Sequence, residues 1–225
     1  MFRNIPTVTK NLLIVNIIVW LASWVMYKTG NSLLYDWFAL HFPTGSKDSD
    51  FHIWQLFTYM FLHDNTSILH LFFNMWSLLL FGCTLERTWG AAKYLLFYVV
   101  CGVGAALCDL GVHWIQYASY MAQYEPGSVR AAFDAITTVG ASGAVYGLLL
   151  GFGMLYPNTQ FMLVFPPIPL KAKWMVIIFG VMEVILGITG GDGIAHAAHL
   201  GGMLFGLILI LLWKKNMTLY DNFDN

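Results

Sequence analysis

Long apolar segments alternate with polar ones along the whole chain, at lengths typical of membrane-spanning helices. A helix needs about 20 mostly apolar residues to cross the hydrocarbon core of a bilayer. Six segments approach this length, at about residues 11–27, 66–83, 93–113, 138–156, 172–190 and 194–213. The pattern therefore predicts an all-α membrane protein whose six transmembrane helices form one bundle.

The predicted bundle is a single domain, because no internal repeat and no Gly/Ser-rich linker divides the chain. We expect the membrane domain to cover residues 1–213 and a short tail to cover residues 214–225. The first span follows Arg3 and Lys10 and has no small-residue cleavage site. We therefore interpret it as a retained helix rather than as a signal peptide that is removed.

The composition excludes the soluble classes of protein and the nucleic-acid binders. Of the 225 residues, 58% are hydrophobic and only 10% are charged, whereas a soluble domain carries about 25% charged residues. The net charge of −1 provides no basic field that would attract nucleic acid. The chain is also far too apolar to stay disordered. An integral membrane protein is the class that remains.

The basic residues indicate how the predicted spans are oriented, because cytoplasmic loops retain Lys and Arg. If the N-terminus is inside, the inner segments hold Arg3, Lys10, Arg87, Lys93, Lys171, Lys173, Lys214 and Lys215. The outer segments then hold Lys28, Lys47 and Arg130. Both termini are therefore predicted to be cytoplasmic, and the long connections 28–65 and 114–137 are predicted to lie outside.

Four polar residues inside the predicted spans share one depth. His70 and Asn74 lie at i and i+4 on one face of the second span. Ser142 lies at the outer start of the fourth span, and His199 lies about one and a half turns into the sixth. Polar side chains at such depth usually face the bundle interior or a water-filled cavity. Because the orientation came from loop charges alone, their common depth in the outer half of the membrane indicates one site.

The fourth span is short on the inner side of Ser142. From Ser142 to Tyr156, just before Pro157, about 15 residues rise only about 22 Å, while the hydrocarbon core is about 30 Å thick. If Tyr156 lies at the inner boundary, the loop before Ser142 must enter the membrane, where non-helical backbone is tolerated only if protein buries it or water reaches it. We expect a water-filled cavity that opens to the outside.

Glycines recur every four residues in the fourth and sixth spans, which lets two helix backbones pack closely in lipid. These glycines are Gly143, Gly147 and Gly151 in the fourth span, and Gly202 and Gly206 in the sixth. His199 shares the glycine face of the sixth span, so packing the two faces would bring it to Ser142. A serine within reach of a neutral imidazole is the minimum requirement for an activated nucleophile.

Three further residues fit around this pair. Tyr146, at i+4 from Ser142, is placed to stack on the imidazole, and His70 and Asn74 are placed to donate hydrogen bonds to a developing oxyanion. Each residue also has a purely structural interpretation, such as a serine bonded to its own helix or a His-Asn pair that clamps two helices. The convergence of the whole set is what favours catalysis.

The motifs together resemble the rhomboid family of intramembrane serine proteases. Residues 140–147, GASGAVYG, are similar to the family's GxSG motif with its following Tyr, and residues 195–202, AHAAHLGG, to its last-span histidine motif. Residues 54–63 and 70–76 resemble the family's approach to span two, and residues 85–90 its next loop. The likeness covers about residues 10–213, and its motifs occur in the family's order.

The resemblance implies a Ser-His dyad without a third, acidic member. Ser142 would be the nucleophile, and His199 would be the general base and then the general acid, since His199 rather than His196 directly precedes Leu-Gly-Gly. The oxyanion hole would consist of His70, Asn74 and the backbone N–H of Ser142. The supporting residues would be Tyr146, Gly140 and Gly143, and the helix-packing residues would be Gly147, Gly202 and Gly206.

The resemblance also implies the substrates and the location. The expected substrates are single-span membrane proteins that are cut near the outer face through an acyl-enzyme. The expected location is the inner (plasma) membrane of a bacterium, in the basic six-span form of the family. No metal, cofactor or nucleic acid is expected.

Four other interpretations fit the sequence less well. An aspartyl protease would need two facing carboxylates in the spans, and a zinc protease would need a motif such as HExxH, whereas residues 196–199 read HAAH. A transporter would draw on Glu183 in span five, although this carboxylate is better explained as protonated or as hydrogen-bonded to a neighbour. An inactive rhomboid relative that acts in binding or quality control would usually lack the Ser or the His.

Overall fold

The computed structural model describes residues 5–45, 50–162, 168–190 and 195–221. Its helices are α1 (Thr7–Lys28), α2 (Leu33–Phe38), α3 (Gln55–Thr58), α4 (Ile68–Trp89), α5 (Ala91–Met121), α6 (Pro126–Asp134), α7 (Ser142–Leu155), α8 (Ala172–Thr189) and α9 (His196–Asp221). The short strands are β1 (Leu40–His41), β2 (Thr137–Thr138), β3 (Gln160–Met162) and β4 (Pro169–Lys171). Outside the described residues lie Arg3, Lys47, position 194, the side chain of Lys215 and positions 222–225.

Five of the described helices are long and apolar enough to cross a bilayer, namely α1, α4, α5, α8 and α9. Helix α7 is apolar but has only 14 residues, which gives a rise of about 21 Å. The predicted helical bundle is therefore present, and the fourth predicted segment is a short helix rather than one of full length.

The bounds of four helices, α4, α5, α7 and α9, differ from those of the predicted spans. The fourth segment was expected from residue 138, but the helix begins at Ser142, because Gly140 has φ +129° and cannot continue a right-handed helix. Helix α5 continues through the polar residues after 113 to Met121, and α6 occupies part of the expected 114–137 loop. Helix α9 continues through the start of the predicted tail, as far as Asp221.

The second predicted segment ends at residue 83, which is too early, because the helix continues past the charged residues Glu86 and Arg87. Helix α4 runs to Trp89 and ends at Gly90, whose φ of +78° lets the chain turn directly into α5. Glu86 is buried, and its carboxylate accepts hydrogen bonds from the backbone N–H of Val8 (2.9 Å) and of Thr9 (2.7 Å). It thereby caps the start of α1 and offsets the cost of burying its own charge.

Helix α7 packs against α4, α5 and α9 in the interior of the bundle, and α9 also packs along α5. The glycine faces of α7 and α9 meet directly. A Cβ added at Gly202 would lie 1.9 Å from the carbonyl oxygen of Gly143, and one added at Gly147 would lie 3.1 Å from the carbonyl oxygen of Gly202. The helix backbones are thus in contact at these positions, with no room for a side chain between them.

The strands tie the connections to the bundle at its two ends. Strand β1 pairs antiparallel with β2, with Leu40 opposite Thr138 and His41 opposite Thr137. This pairing holds the segment that leads into α7 against the connection after α2. We call this end of the bundle, where α7 and α9 begin, the cavity end, because a cavity opens there. Strands β3 and β4 form an antiparallel pair between α7 and α8.

The contact between the glycine faces predicts the effect of adding one methyl group. Gly202→Ala should lower the free energy of unfolding by about 1–3 kcal/mol, because α7 and α9 must separate to admit the Cβ. Thermal unfolding in detergent measures this. The matched control is Gly111→Ala on α5, where an added Cβ meets nothing within 4 Å and stability should be equal or slightly higher. Equal melting temperatures for Gly202→Ala and the wild type would contradict the prediction.

Candidate active site

A cavity of about 730 Å³ lies at the cavity end of the bundle, where α4, α7 and α9 begin. Its wall combines the segment that precedes α7 with residues of those helices, of α2 and α5, and of the connection between α3 and α4. The polar residues that line it are Tyr35, Tyr59, Asp64, His70, His113, Thr137, Thr138, Ser142 and His199. Three of the four polar residues that the sequence placed at one depth, His70, Ser142 and His199, therefore share one cavity.

Ser142 and His199 form a hydrogen-bonded pair in this cavity. The Oγ of Ser142 lies 2.7 Å from Nε2 of His199. The Tyr146 ring stacks on the imidazole, with 4.3 Å between the ring centroids and 7° between the planes. The helices explain this arrangement, because Ser142 opens α7, Tyr146 follows one turn later, and the glycine contact holds α9 alongside.

The backbone at the start of α7 supplies hydrogen-bond donors to the cavity. The N–H of Val145 bonds to the carbonyl of Ala141, and the N–H groups of Ser142, Gly143 and Ala144 precede this first helical bond. Such groups have no partner within their own helix, and the helix dipole adds a partial positive charge beside them. The start of α7 is therefore suited to bind a negatively charged oxygen next to the Ser142 hydroxyl.

The imidazole of His70 faces the same point from the other side of the cavity. Its Nδ1 accepts a hydrogen bond from the backbone N–H of Asp64 at 3.3 Å, which assigns the ring proton of the neutral imidazole to Nε2. A Cβ added at Gly140 would lie 2.9 Å from this Nε2. Gly140 is thus required both by its positive φ and by the space that His70 occupies.

Asn74 is placed less directly. Its side chain is buried, and its Nδ2 donates a hydrogen bond to the backbone carbonyl of His70 at 2.9 Å. It does not line the cavity as His70 does. One of its two amide protons is therefore used within α4, and the other remains for a partner.

Gly143 lies where α5, α7 and α9 come together beside the cavity. A Cβ on Gly143 would lie 2.4 Å from the Cβ of Ala105 and 3.3 Å from the carbonyl oxygen of Ala198. Behind it, the hydroxyl of Tyr59 donates to the carbonyl of Gly102 at 2.7 Å. This packing fixes the first turn of α7, and with it the position of Ser142.

Sequence reasoning missed the contact that Glu183 makes with the histidines. Glu183 projects from α8, and its Oε1 accepts a hydrogen bond from the hydroxyl of Tyr146. Its Oε2 lies 2.5 Å from Nδ1 of His196. Its Oε1 also lies 3.0 Å from Nδ1 of His199, at an angle too bent to count as a hydrogen bond. The expectation that Glu183 bonds to a neighbour is confirmed, but its neighbours are the site residues themselves.

Glu183, His196 and His199 also form the one described group of residues that could bind a metal ion, with their ligand atoms all within 4.8 Å of one another. Two ligands on one tetrahedral zinc ion lie roughly 3.3 Å apart, given bonds of about 2.0–2.1 Å. The contact of 2.5 Å between Glu183 and His196 is a hydrogen-bond distance instead. The absence of a metal stays a prediction.

A second carboxylate that the sequence did not reveal is Asp109 on α5. It is buried and accepts a hydrogen bond from the hydroxyl of Thr138 at 2.7 Å, and its Oδ2 lies 3.7 Å from Nδ1 of His113. Thr138 and His113 both line the cavity. Asp109 therefore joins α5 to the segment that leads into α7.

His63 lies behind His70, with 5.2 Å between the two ring centroids. It is fully buried in the segment before α4, and neither ring nitrogen has a hydrogen-bond partner. Burial, together with the neighbouring His70, lowers the pKa of His63 to about 3. The ring is therefore neutral at ordinary pH and packs as an apolar support for His70.

Comparisons with known proteins give a consistent result. A family model described as the rhomboid domain matches residues 50–216, well over half of the chain. Rhomboid protease AarA of Providencia stuartii is 30% identical over 172 residues, which cover 71% of this chain and 56% of AarA. Rhomboid protease GlpG of Haemophilus influenzae is 26% identical over 171 residues, which cover 76% of this chain and 74% of GlpG.

A mitochondrial relative is also similar. Rhomboid protein 1 of Saccharomyces cerevisiae is 29% identical over 140 residues, which cover 62% of this chain and 36% of that protein. The chain thus spans just over half of AarA and about a third of the yeast protein. These matches, together with the five apolar helices, identify an integral membrane protein.

The burial of His63 predicts how stability depends on pH. In the unfolded chain an imidazole titrates near pH 6.5, whereas in the folded protein the pKa of His63 is about 3. The contribution of the neutral His63 ring to the free energy of unfolding is therefore fully present above pH 6.5 and is lost as the pH falls toward 3. At pH 4.5 the loss is about 2–3 kcal/mol. Thermal unfolding in detergent at pH 7 and pH 4.5 should show a smaller difference for His63→Leu than for the wild type. An identical pH dependence would contradict the prediction.

Proposed function

The chain belongs to the rhomboid family, and from this premise we propose that it is an intramembrane serine endopeptidase with Ser142 as its nucleophile. One observation carries the proposal, the distance of 2.7 Å between Oγ of Ser142 and Nε2 of His199 at the wall of a cavity. A serine that contacts an imidazole, beside free backbone donors, is the arrangement that acyl transfer requires.

The proposed reaction proceeds through an acyl-enzyme. Nε2 of His199 takes the proton of the Ser142 hydroxyl while Oγ attacks the carbonyl carbon of the scissile peptide bond, whose oxygen becomes an oxyanion. The C–N bond then breaks, and His199 gives the proton to the leaving amine. Water repeats the sequence on the acyl-enzyme, with His199 again as general base, and releases the acid product and free Ser142.

The oxyanion would be bound by the backbone N–H of Ser142 and by the Nε2–H of His70. The second amide proton of Asn74 would be a further donor. The start of α7 supports the first of these roles, because its N–H groups precede the helical hydrogen bonds. The hydrogen bond from Asp64 supports the second, because it leaves the proton of His70 on Nε2. Tyr146 would hold the imidazole of His199 by stacking on it.

The proposed substrates are single-span membrane proteins, cut near the outer face of the membrane. The position of the cavity at one end of the bundle supports this, because a peptide bond must reach Ser142 from the bilayer or from that surface. A bond inside an intact helix has its carbonyl engaged and shielded, so the substrate segment must unwind first. We therefore favour substrates whose spans contain residues that weaken a helix.

The proposed setting is one membrane domain over residues 1–213, with six spans, both termini in the cytoplasm, and residence in the plasma membrane of a bacterium. The excess of Lys and Arg in the inner segments supports this orientation. The short helix α7 would be the fourth span, with the segment pinned by β1 and β2 completing its passage toward the outer surface.

Covalent labelling tests the nucleophile. An active-site fluorophosphonate probe should label the purified wild type, and Ser142→Ala should abolish labelling because the attacking Oγ is gone. The matched control is Ser119→Ala on α5, whose exposed hydroxyl accepts a hydrogen bond from Gln123 outside the cavity and which should label normally. Absence of wild-type labelling, or equal labelling of Ser142→Ala, would favour the competing function, a non-catalytic rhomboid relative that binds membrane proteins.

Substitution of the two α4 residues tests the oxyanion hole. His70→Ala should lower kcat by about 10²-fold, the usual cost of removing one donor. Asn74→Ala should cost less, because one of its amide protons already bonds to the carbonyl of His70. Steady-state cleavage of a fluorogenic transmembrane peptide in detergent measures both, with His52→Ala in the connection before α3 as control. Unchanged kcat in His70→Ala would remove that residue from the hole.

A further inference from the structure

One carboxylate on α8 connects three helices behind the proposed dyad. Glu183 lies on α8 and is only 6% exposed. It contacts Tyr146 on α7 and both His196 and His199 on α9. Burying a charge in this way is costly unless hydrogen bonds compensate for it, so the position calls for an explanation beyond packing.

The contacts divide between the two oxygens of Glu183. Oε2 faces Nδ1 of His196 at 2.5 Å, while Oε1 accepts from the Tyr146 hydroxyl and faces Nδ1 of His199 at 3.0 Å. An ionised carboxylate only accepts hydrogen bonds, whereas a protonated one must also donate. The Tyr146 hydroxyl donates to Oε1, and each imidazole can donate when its ring proton is on Nδ1, so an ionised carboxylate accommodates all three groups.

The tautomer of His199 gives this carboxylate a chemical consequence. His199 can take the proton of Ser142 only if its Nε2 is unprotonated, and then the ring proton of the neutral imidazole is on Nδ1. An acceptor beside Nδ1 favours that tautomer and stabilises the imidazolium that forms during attack. The contact at 3.0 Å is bent, as catalytic hydrogen bonds often are before substrate binds and tightens them.

We propose that Glu183 is an acidic positioning residue that completes a Ser142–His199–Glu183 triad, where the resemblance implied a dyad alone. The inference rests on the proposed function. The transferred proton moves from Oγ of Ser142 to Nε2 of His199 and then to the leaving amine, and Glu183 stays ionised throughout. Tyr146 assists from two directions, since its ring stacks on the imidazole and its hydroxyl holds Oε1 of Glu183.

His196 has a separate part in this arrangement. It occupies Oε2, so Oε1 remains for Tyr146 and His199. The sequence Ala195-His196-Ala197-Ala198-His199 places the two histidines three residues apart on one side of α9, within reach of a single carboxylate. Loss of His196 should therefore loosen Glu183 without removing the acceptor from His199.

Kinetics of position 183 variants test the proposal in the full chain. Glu183→Gln keeps the volume but can donate its amide proton to Nδ1, which favours the wrong tautomer of His199. We expect kcat to fall by on the order of 10²–10⁴-fold, the upper end being the loss seen when a triad Asp becomes Asn, with KM little changed. Glu183→Asp should recover part of kcat, because it restores an ionised acceptor.

The matched control is Glu86→Gln, which alters another buried carboxylate that ties two helices together, α1 and α4, away from the cavity. It should lower thermal stability and leave kcat per folded molecule unchanged. If Glu183→Gln behaves like Glu86→Gln, with lower stability but wild-type kcat, Glu183 only joins helices and the proposal is wrong. Failure of Glu183→Asp to exceed Glu183→Gln in kcat would also contradict it.

A spectroscopic readout separates this inference from the proposed function. In protein labelled with ¹⁵N-histidine, the His199 signals, assigned by their loss in His199→Gln, should show the proton on Nδ1 in the wild type and on Nε2 in Glu183→Gln. This measurement needs no turnover. If the wild type neither cleaves substrate nor reacts with the probe, but the tautomer still changes in Glu183→Gln, the proposed protease activity is wrong and the effect of Glu183 on His199 is confirmed. The same tautomer in both proteins would refute the role of Glu183.

Discussion

The contact between the backbones of α7 and α9 is the constraint on which the site depends. Gly202 touches the carbonyl of Gly143, so closely that a methyl group at Gly202 would overlap it at 1.9 Å. Ser142 directly precedes Gly143, and His199 lies one helical turn before Gly202, so the distance of 2.7 Å between their side chains follows from the helix contact. In lipid, where helices gain little from hydrophobic association, such close packing of small residues holds the pair together.

The interior of the bundle tolerates the carboxylates of Glu86, Asp109 and Glu183 because each of them accepts a hydrogen bond. Glu86 caps α1, Asp109 accepts from Thr138, and Glu183 accepts from Tyr146. Each carboxylate also joins its own helix to another part of the bundle, so the hydrogen bonds that offset burial also define how the elements are arranged. Other buried polar atoms of the described residues have no hydrogen-bond partner, among them both ring nitrogens of His63 behind His70. His63 is also the group whose protonation should weaken the fold.

Apolar length and helical spacing were enough to predict the long helices, the short rise of the chain after Ser142 and the approach of His199 to Ser142. Those features depend on spacing along single helices and on glycine faces, which a sequence displays. The acceptor at Nδ1 of His199 could not be predicted, because Glu183 is alone on α8 and nothing local says which way it faces. The ends of α4 and α5 were misjudged because charged or polar residues continue both helices. Glu86 is tolerated there because it bonds to the start of α1, which is far away in the sequence.

Cleavage of a reconstituted substrate tests the central claim, hydrolysis of a membrane-embedded peptide bond by Ser142, most directly. A single-span reporter with a helix-weakening segment would be placed in vesicles with the purified protein, and the products identified by mass spectrometry. The account predicts cleavage at a bond within or next to the span, near the face that the cavity opens to, and none with Ser142→Ala. An intact reporter with folded wild type, or the same products with Ser142→Ala, would contradict it.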